Sequence, residues 1–230
     1  MAEKKLALFG STGALGSVIR ADFVKQGWHV NCGTFDLVNP EDFIMPLDGD
    51  NLPANIANQS FDAVVFAQGA NMNGTVLNTT KEQLLYLFEA NVSFISDAVA
   101  TMMKHDLIKT GAKIVIISSL WEQQTREDKF AYTVTKAAVG GLVRSLAVDL
   151  GIAKGILVNG VLPGVVDTTM ARDTLGPEKI KSMEGQTPGN KLVTPQDVAS
   201  SVYMLCSDLN TAISGQSIFV DFGFAIARKV

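Results

Sequence analysis

The chain has 230 residues, of which 47% are hydrophobic and 18% are charged, and its formal net charge is −4. This composition is typical of a packed globular protein and excludes a disordered chain. It contains no Lys/Arg run and no apolar run near the roughly 18 residues of a membrane span, which argues against nucleic-acid and membrane partners. Two cysteines without CxxC spacing and two isolated histidines predict reduced thiols, a cytoplasmic location and no metal site.

Strand-like and helix-like segments alternate along the chain. The predicted strands cover residues 6–9, 29–35, 43–47, 62–66, 113–118, 156–161 and 216–221. The predicted helices cover residues 14–26, 79–104, 131–150 and 195–207. Continuous apolar strands that alternate with helices indicate an α/β fold, a doubly wound parallel seven-stranded sheet of the Rossmann type with helices on both faces. We expect a single domain over residues 1–230, in which the loop-like segment 167–193 forms a substrate lid.

Three glycines, Gly10, Gly13 and Gly16, lie between the first predicted strand and the first predicted helix. Glycines at this place let the backbone approach a pyrophosphate, whose charge is met by the helix N-terminus. A tight turn without a ligand would also explain them, but the strand–turn–helix context favours a dinucleotide site.

Tyr132 and Lys136 are four residues apart, and Ser119 lies thirteen residues before the tyrosine. Positions four apart share one face of a helix, so the phenol and the ammonium can converge on one point. The lysine charge is expected to lower the pKa of the phenol, whose ordinary value is about 10. A serine hydroxyl beside them could hold a substrate oxygen, which predicts proton transfer to or from an alcohol or carbonyl.

With these residues in view, the chain resembles the short-chain dehydrogenase/reductase family over nearly its full length. The resemblance is carried by the Gly10–Gly16 loop, the FAQGA segment at 66–70, the ISS motif at 117–119, the YTVTK motif at 132–136, and the VNGVLPG segment at 158–164. It implies that Tyr132 is the general acid or base, that Lys136 lowers its pKa and holds the nicotinamide ribose, and that Ser119 orients the substrate oxygen. Asn91 matches the family's catalytic asparagine and would support a water in the proton relay.

The resemblance also implies a set of cofactor-binding residues. They are Gly10, Ser11, Thr12, Gly13, Leu15, Gly16, Thr34, Asp36, Asp48, Ala67, Gln68, Gly69, Tyr132, Lys136, Pro163, Gly164, Val166 and Thr168. The cofactor is NAD or NADP, and the sequence leaves this choice open. The discriminating family position at the end of the second strand falls on Thr34, which would permit NADP, whereas Asp36 two residues later would favour NAD.

The chain departs from the family pattern in its glycine spacing, which is more usual in the extended branch of epimerases and dehydratases. Gln68 also replaces an asparagine, and the stretch 35–61 is short for the family. For the substrate we predict contacts with Met72, Trp121 and Met170. The chain looks most similar to 3-oxoacyl-carrier-protein reductases and to sugar or polyol dehydrogenases, and Arg172 and Lys113 stand roughly where those reductases place docking cations.

The leading interpretation is an NAD(P)-dependent oxidoreductase that acts on a small alcohol or carbonyl substrate. The alternatives are a non-catalytic dinucleotide-binding sensor or scaffold and a nicotinamide-using isomerase or lyase. The resemblance further predicts a homo-oligomer, a dimer or tetramer, whose contacts use the helices at 79–104 and 131–150.

Overall fold

Seven strands and six α-helices occupy the described part of the chain. The computed structural model describes residues 3–34, 42–44, 52 and 54–227, and at residues 169, 170, 174 and 175 it describes the backbone alone. The strands are β1 (Lys5–Phe9), β2 (His29–Thr34), β3 (Phe43–Ile44), β4 (Phe61–Phe66), β5 (Ile108–Ile117), β6 (Leu157–Pro163) and β7 (Ser217–Val220). The helices are α1 (Ala14–Lys25), α2 (Lys81–Phe88), α3 (Phe94–Lys104), α4 (Phe130–Lys154), α5 (Thr169–Gln186) and α6 (Pro195–Cys206). The ends of the second and third predicted strands, at residue 35 and at residues 45–47, lie outside the described residues.

All seven strands run parallel in the order β3-β2-β1-β4-β5-β6-β7. The chain leaves β1 toward one edge of the sheet and then crosses back to add β4 on the other side of β1. In such a sheet the carboxyl ends of the two strands at this reversal open a crevice that binds ligands. The predicted doubly wound Rossmann-type fold is therefore confirmed.

Two hydrophobic cores lie on opposite faces of the sheet. On one face, α1 and α6 bury Ile19, Phe23 and Val202 against the strands. On the other face, α3 and α4 bury Val99 and Val139. Strand side chains point alternately to the two faces, so strands that are covered on both sides are apolar throughout. None of the described helices is long and apolar enough to cross a bilayer.

The helix predicted over residues 79–104 is interrupted at its middle. It begins after Thr80, whose hydroxyl accepts a hydrogen bond from the backbone N–H of Gln83, while the Gln83 side chain caps Thr80 in return. A π-helical turn, Glu89–Ser93, separates α2 from α3. Such turns insert one extra residue into the helical ladder and are frequent at functional sites. The turn places Asn91 inside the protein, facing the end of β4.

The prediction that segment 167–193 is loop-like is wrong for most of its length, because α5 covers it from Thr169 to Gln186. Gly176 breaks this helix with a φ of 74°, and Pro177 then starts the second half. Proline fits the first turn of a helix, where its missing N–H has no partner in any case. The Gly-Pro pair that reads as a loop in the sequence is thus a kink between two helical stretches.

Candidate active site

The loop between β1 and α1 contains two glycines whose lack of a side chain the fold requires. A Cβ on Gly16 would lie 2.0 Å from the carbonyl oxygen of Gly10, and a Cβ on Gly10 would lie 2.5 Å from the backbone nitrogen of Gln68. Gly10 also has a φ of +83°, which other residues rarely adopt. The loop packs so closely on itself and on the segment after β4 that neither position has room for a side chain. This explains why Gly10 and Gly16 are glycines.

Gly13 is different, because a Cβ there would meet only the Gly10 oxygen at an ordinary 3.5 Å. It is the N-cap of α1, and no side chain caps the helix at this end. The first N–H groups of a helix have no partner within it and attract anions, a phosphate among them. Protein packing therefore leaves room at Gly13 for a phosphate to approach the helix end.

Two adjoining cavities run from this loop to Tyr132. The larger, of about 350 Å³, contacts both the glycine loop and Thr34 at the end of β2. The smaller, of about 160 Å³, is lined by Tyr132 and Lys136. Residues 67–70 line both cavities and connect them. Together they form a groove along the carboxyl ends of β2, β1, β4 and β5.

Several buried polar atoms in this groove have no hydrogen-bond partner among the described residues. They are Thr34 Oγ1, both polar atoms of the Gln68 side chain, and Ser118 Oγ. Buried polar groups are nearly always bonded, so a row of unbonded ones along a groove indicates a polar ligand. The groove therefore fits a dinucleotide, with the phosphates at the glycine loop and the nicotinamide half beside Tyr132.

The predicted triplet comes together at the smaller cavity. Ser119, two residues after the end of β5, lies beside Tyr132 on α4, close enough for its hydroxyl to lower the pKa of the phenol. The Lys136 ammonium lies 5.7 Å from the centre of the Tyr132 ring and donates to the carbonyl oxygen of Ile117 at 3.2 Å. Lys136 also approaches Gly69, where a Cβ would lie 3.7 Å from its Nζ. Strand β5 and helix α4 thus bring three residues that are distant in sequence to one point.

The pKa of Tyr132 does not follow the prediction. Burial raises the pKa of the phenol, and the nearby Ser119 hydroxyl opposes this effect only in part. Burial also lowers the pKa of Lys136 to about 8, while the nearby Glu122 carboxylate acts in the opposite direction. Desolvation disfavours the charged form of each group. Tyr132 is therefore a protonated acid at neutral pH, beside a lysine that loses its proton only slightly above neutrality.

Asn91 acts as a connector between the end of β4 and α4. Its Oδ1 accepts from the backbone N–H of Ala70 at 2.8 Å, and its Nδ2 donates to the Ala70 carbonyl at 3.0 Å and to Thr135 Oγ1 at 3.1 Å. Both amide hydrogens are thereby used, which leaves the side chain no donor for a water. In the described structure Asn91 positions one wall of the smaller cavity, and its predicted part in a proton relay stays a prediction.

Most of the other predicted cofactor residues either line neither cavity or lie outside the described residues. Gly164 packs against Asp221, Val166 pairs with Val193, and the Thr168 hydroxyl caps α5 by accepting from the Ala171 N–H at 3.1 Å. Those three and Pro163 line neither cavity. Ser11 is buried beneath the loop, and Leu15 lines the smaller cavity. Asp36 and Asp48 lie outside the described residues.

The predicted substrate residues are only partly placed. Met72 is half-buried and follows the segment that lines both cavities. The Trp121 backbone donates to Ser119 Oγ at 3.3 Å, and its ring lies 5.9 Å from the Arg126 guanidinium. The side chain of Met170 is outside the described structure. Neither Met72 nor Trp121 lines the smaller cavity.

The two cations compared with docking residues, Arg172 and Lys113, do not form a common surface. Arg172 makes a two-pronged ion pair with Asp167, with distances of 2.5 and 2.6 Å. Lys113 lies in the middle of β5, and its ammonium turns back to the carbonyl of Gly111 at 2.9 Å. That contact faces the amino end of the sheet, opposite the groove, and the suggested docking role of this pair stays a prediction.

The sequence also missed residues of the site. The larger cavity is lined in addition by Gly33, Ala70, Tyr86, Ala90 and Phe94, and the smaller one by Ala70, Asn71, Ile117 and Ser118. Tyr86 and Phe94 belong to helices that the π-helical turn aligns with the end of β4, and no local pattern marks them. Lys129 is also close to Tyr132, with its ammonium 5.2 Å from the ring centre. In the sequence, the one indication of this proximity is that Lys129 lies three residues before Tyr132.

Comparison with known proteins places the chain among reductases and dehydrogenases. Residues 53–225 match the family model described as enoyl-(acyl carrier protein) reductase. The chain is 36% identical to carbonyl reductase [NADPH] 2 of Sus scrofa over 64% of its length and 61% of that protein. It is 31% identical to L-rhamnose-1-dehydrogenase of Scheffersomyces stipitis over 83% of its length and 75% of that protein.

A solved structure supports the fold over the whole chain. The ligand-free aldohexose dehydrogenase of Thermoplasma acidophilum superposes with a TM-score of 0.85 at 23% identity, covering 99% of this chain and 96% of that one. The match to the Sus scrofa reductase spans less than two thirds of that protein's own length. The family model, the match to the Scheffersomyces stipitis dehydrogenase and the shared fold agree. The chain therefore belongs to the short-chain dehydrogenase/reductase family, a family of oxidoreductases.

Proposed function

We propose that the chain is an NAD(P)-dependent oxidoreductase that transfers a hydride between a nicotinamide cofactor and a small alcohol or carbonyl substrate. The observation that carries this proposal is the convergence of Ser119, Tyr132 and Lys136 at the inner end of a groove that fits a dinucleotide. The bound nicotinamide supplies the hydride. Everything else in the reaction falls to side chains of the chain itself.

In the reductive direction, Ser119 holds the carbonyl oxygen of the substrate by a hydrogen bond, and Tyr132 gives its proton to that oxygen. The raised pKa of Tyr132 keeps the phenol protonated at neutral pH, as a general acid requires. As the phenolate forms, the Lys136 ammonium stabilises its charge across the short distance between them. Oxidation needs the reverse proton transfer, so we expect it to be favoured at higher pH.

The glycine loop, Thr34 and Gln68 would hold the nucleotide part of the cofactor. The Thr34 hydroxyl is free to bond either a ribose hydroxyl or a 2′-phosphate, so both NAD and NADP remain candidates. Relatives differ in their names: one is a carbonyl reductase [NADPH], and another is an L-rhamnose 1-dehydrogenase (NAD(P)(+)). Fluorescence titration with both reduced cofactors measures the preference directly.

Replacement of Tyr132 by Phe tests the proposed chemistry. It should lower kcat for a panel of ketones by about 10²–10⁴-fold because the proton donor is lost. The dissociation constant of the reduced cofactor should change less than about twofold, since the ring remains. Turnover is followed by the near-ultraviolet absorbance of the reduced nicotinamide. Full turnover in Y132F would overturn the mechanism, and cofactor binding without turnover in the unmodified protein would favour a sensor or scaffold.

We further propose a homo-oligomer that uses the outer faces of α2 and α4. These neighbouring helices expose large apolar side chains: Leu85, Tyr86 and Phe88 on α2, and Val134, Val148 and Ile152 on α4. Exposed apolar side chains grouped on two neighbouring helices are typical of protein–protein contacts. Light scattering should give at least twice the mass of one chain, and a monomer at micromolar concentration would contradict the proposal. The two free, buried cysteines are consistent with the predicted cytoplasmic location.

A further inference from the structure

Lys129 is a buried cation that has no acidic partner among the described residues. The residue is only 5% exposed. Its ammonium donates to Asn71 Oδ1 at 2.8 Å, a neutral amide oxygen, and among the described residues its one other recorded contact is with the face of the Tyr132 ring. An ammonium has three N–H donors, so two of them have no protein acceptor. Buried charges are normally paired, because an unpaired one is costly.

Besides burial, a like charge and no opposite one shifts the pKa of Lys129. The nearest charge that affects it is Arg126, and burial together with this like charge lowers the pKa of Lys129. Lys129 also directly precedes α4, whose first turn carries the positive end of the helix dipole and no acidic residue. Glu122, the carboxylate on the neighbouring turn, acts on Lys136 instead. Glu127 and Asp128 precede Lys129 in the chain, but among the described residues neither makes an ion pair with its ammonium, whose hydrogen bond goes to the Asn71 amide.

The position of Lys129 relates this charge to the reaction. Its ammonium lies 5.2 Å from the centre of the Tyr132 ring, and its partner Asn71 lines the smaller cavity together with Tyr132 and Lys136. Lys136 approaches the ring on its own at 5.7 Å. The phenol thus has two lysines near it, of which the proton-transfer mechanism uses only Lys136.

The backbone around Lys129 is fixed. Gly74 donates its N–H to the Asp128 carbonyl at 3.0 Å, and Phe130 donates to the Gly74 carbonyl at 3.0 Å. These two hydrogen bonds flank Lys129 and tie it to the segment that carries Asn71. A charge held in place in this way favours a ligand group at one position, since little side-chain or loop ordering is left to occur on binding.

We propose that Lys129, assisted by Asn71, binds an anionic group, a carboxylate or phosphate, on the alcohol or carbonyl substrate of this enzyme. The inference rests on the proposed function, which supplies the reaction but does not specify the charge of the substrate. A bound anion would accept hydrogen bonds from the two unused N–H groups of Lys129 and would balance the charge of its ammonium. The reacting oxygen would meanwhile lie between Ser119 and Tyr132.

Matched pairs of charged and neutral substrates test the proposal. We would compare a series of oxo acids of increasing length with their methyl esters, and dihydroxyacetone phosphate with dihydroxyacetone. The unmodified protein should show a higher kcat/KM for at least one anionic member over its neutral partner, by about 10- to 100-fold, the range of a charge-assisted hydrogen bond. The acid and phosphate arms decide which anion is bound.

Variants then assign the preference to Lys129. K129M should lose about 10- to 100-fold in kcat/KM on the preferred anion and less than about twofold on its neutral partner. K129R should keep most of the preference, and K25M, at an exposed lysine on α1, should change neither. The pH profile for the neutral substrate should be the same in K129M and the unmodified protein, because Lys129 does not transfer the proton.

Three results would overturn the inference. One is turnover of neutral substrates with no anion preference in any pair. Another is an equal loss on both members of a pair in K129M, and the third is a shifted pH profile on the neutral substrate, which would place Lys129 in the proton transfer with Tyr132. Failure of every pair to react with either cofactor is a different result, since it contradicts the proposed oxidoreductase function itself.

Discussion

The proton-transfer end of the groove and its nucleotide end differ in how their polar groups are bonded. At the first, the Asn91 side chain makes three hydrogen bonds to protein atoms, and Lys136 donates to a backbone carbonyl. At the second, Thr34 Oγ1 and the Gln68 amide, which also lines the smaller cavity, are buried without a partner among the described residues; Ser118 Oγ is the exception at the first end, since it too is unbonded.

Asn91 and Lys136 are held by hydrogen bonds within the protein. The polar atoms of Thr34 and Gln68 are available for hydrogen bonds to a ligand. Asn91 is bonded whether or not a cofactor is present, so the catalytic geometry around it is set by folding. If the groove binds a dinucleotide as proposed, Thr34 and Gln68 would gain hydrogen bonds to it, which is a favourable exchange for a buried polar atom. Substitutions at the first end should therefore disturb the fold, and substitutions at the second should mainly change binding.

Two glycines of the nucleotide loop provide the largest expected contrast. Gly16→Ala forces a Cβ to within 2.0 Å of the Gly10 oxygen and should lower the free energy of unfolding by about 3 kcal/mol or more. Gly13→Ala meets nothing closer than 3.5 Å, so its stability should change by less than about 1 kcal/mol while its affinity for cofactor falls. Urea unfolding and cofactor titration measure both effects. Equal stability of the two variants would show that the loop adjusts freely.

Lys136→Met should abolish turnover and stabilise the cofactor-free protein. Burial moves the pKa of this lysine from 10.5 to about 8, a shift that costs about 3 kcal/mol of folding free energy when the group is charged in the unfolded state. Between pH 8 and 10.5 the unfolded chain binds more protons than the folded one, so the stability of the unmodified protein rises there. The free energy of unfolding of K136M should exceed that of the unmodified protein most below pH 8, and the difference should disappear near pH 10.5.

Denaturant unfolding over this pH range, with K25M as the control for removing a lysine, checks the prediction. A constant difference between K136M and the unmodified protein at all pH values would mean that packing, and not the charge, sets the stability change.

Asn91→Ala and Thr34→Val compare the two ends directly and should give the smallest effects. N91A leaves the Ala70 backbone groups without their partner and should lower the free energy of unfolding by about 2 kcal/mol, with reduced kcat. T34V removes a hydroxyl that has no partner among the described residues, so its stability should stay within about 1 kcal/mol of the unmodified protein or rise. Cofactor affinity should fall in T34V. Matching stability losses in both variants would remove the distinction between the two ends.

Much of the fold was predictable because its signals are local. Apolar runs between turn residues placed all seven strands, and the cap residues Thr80 and Thr194 lie at helix starts that the sequence marked within two residues. The error at 167–193 has a physical cause. Gly176 and Pro177 suggest a break, and whether the chain stays helical on both sides of that break depends on packing that no local pattern reports.

The site was predictable where motif residues carry it and not where it depends on proximity. Ser119, Tyr132 and Lys136 were identified and do come together. The raised pKa of Tyr132 was not foreseen, since burial of the ring outweighs the effect expected from a nearby lysine. Asn71 and Lys129 are 58 positions apart, and their pairing follows from the Gly74 backbone bonds, which no sequence spacing indicates.

The sequence by itself therefore determined the alternating α/β architecture, the glycine loop and the candidates for proton transfer, because periodicity and motif spacing are properties of neighbouring residues. The tertiary structure alone decided which polar groups are left unbonded in the groove, how burial shifts the two pKa values, and that a second lysine lies beside the phenol. Those properties depend on which distant segments pack together and on how much water they exclude.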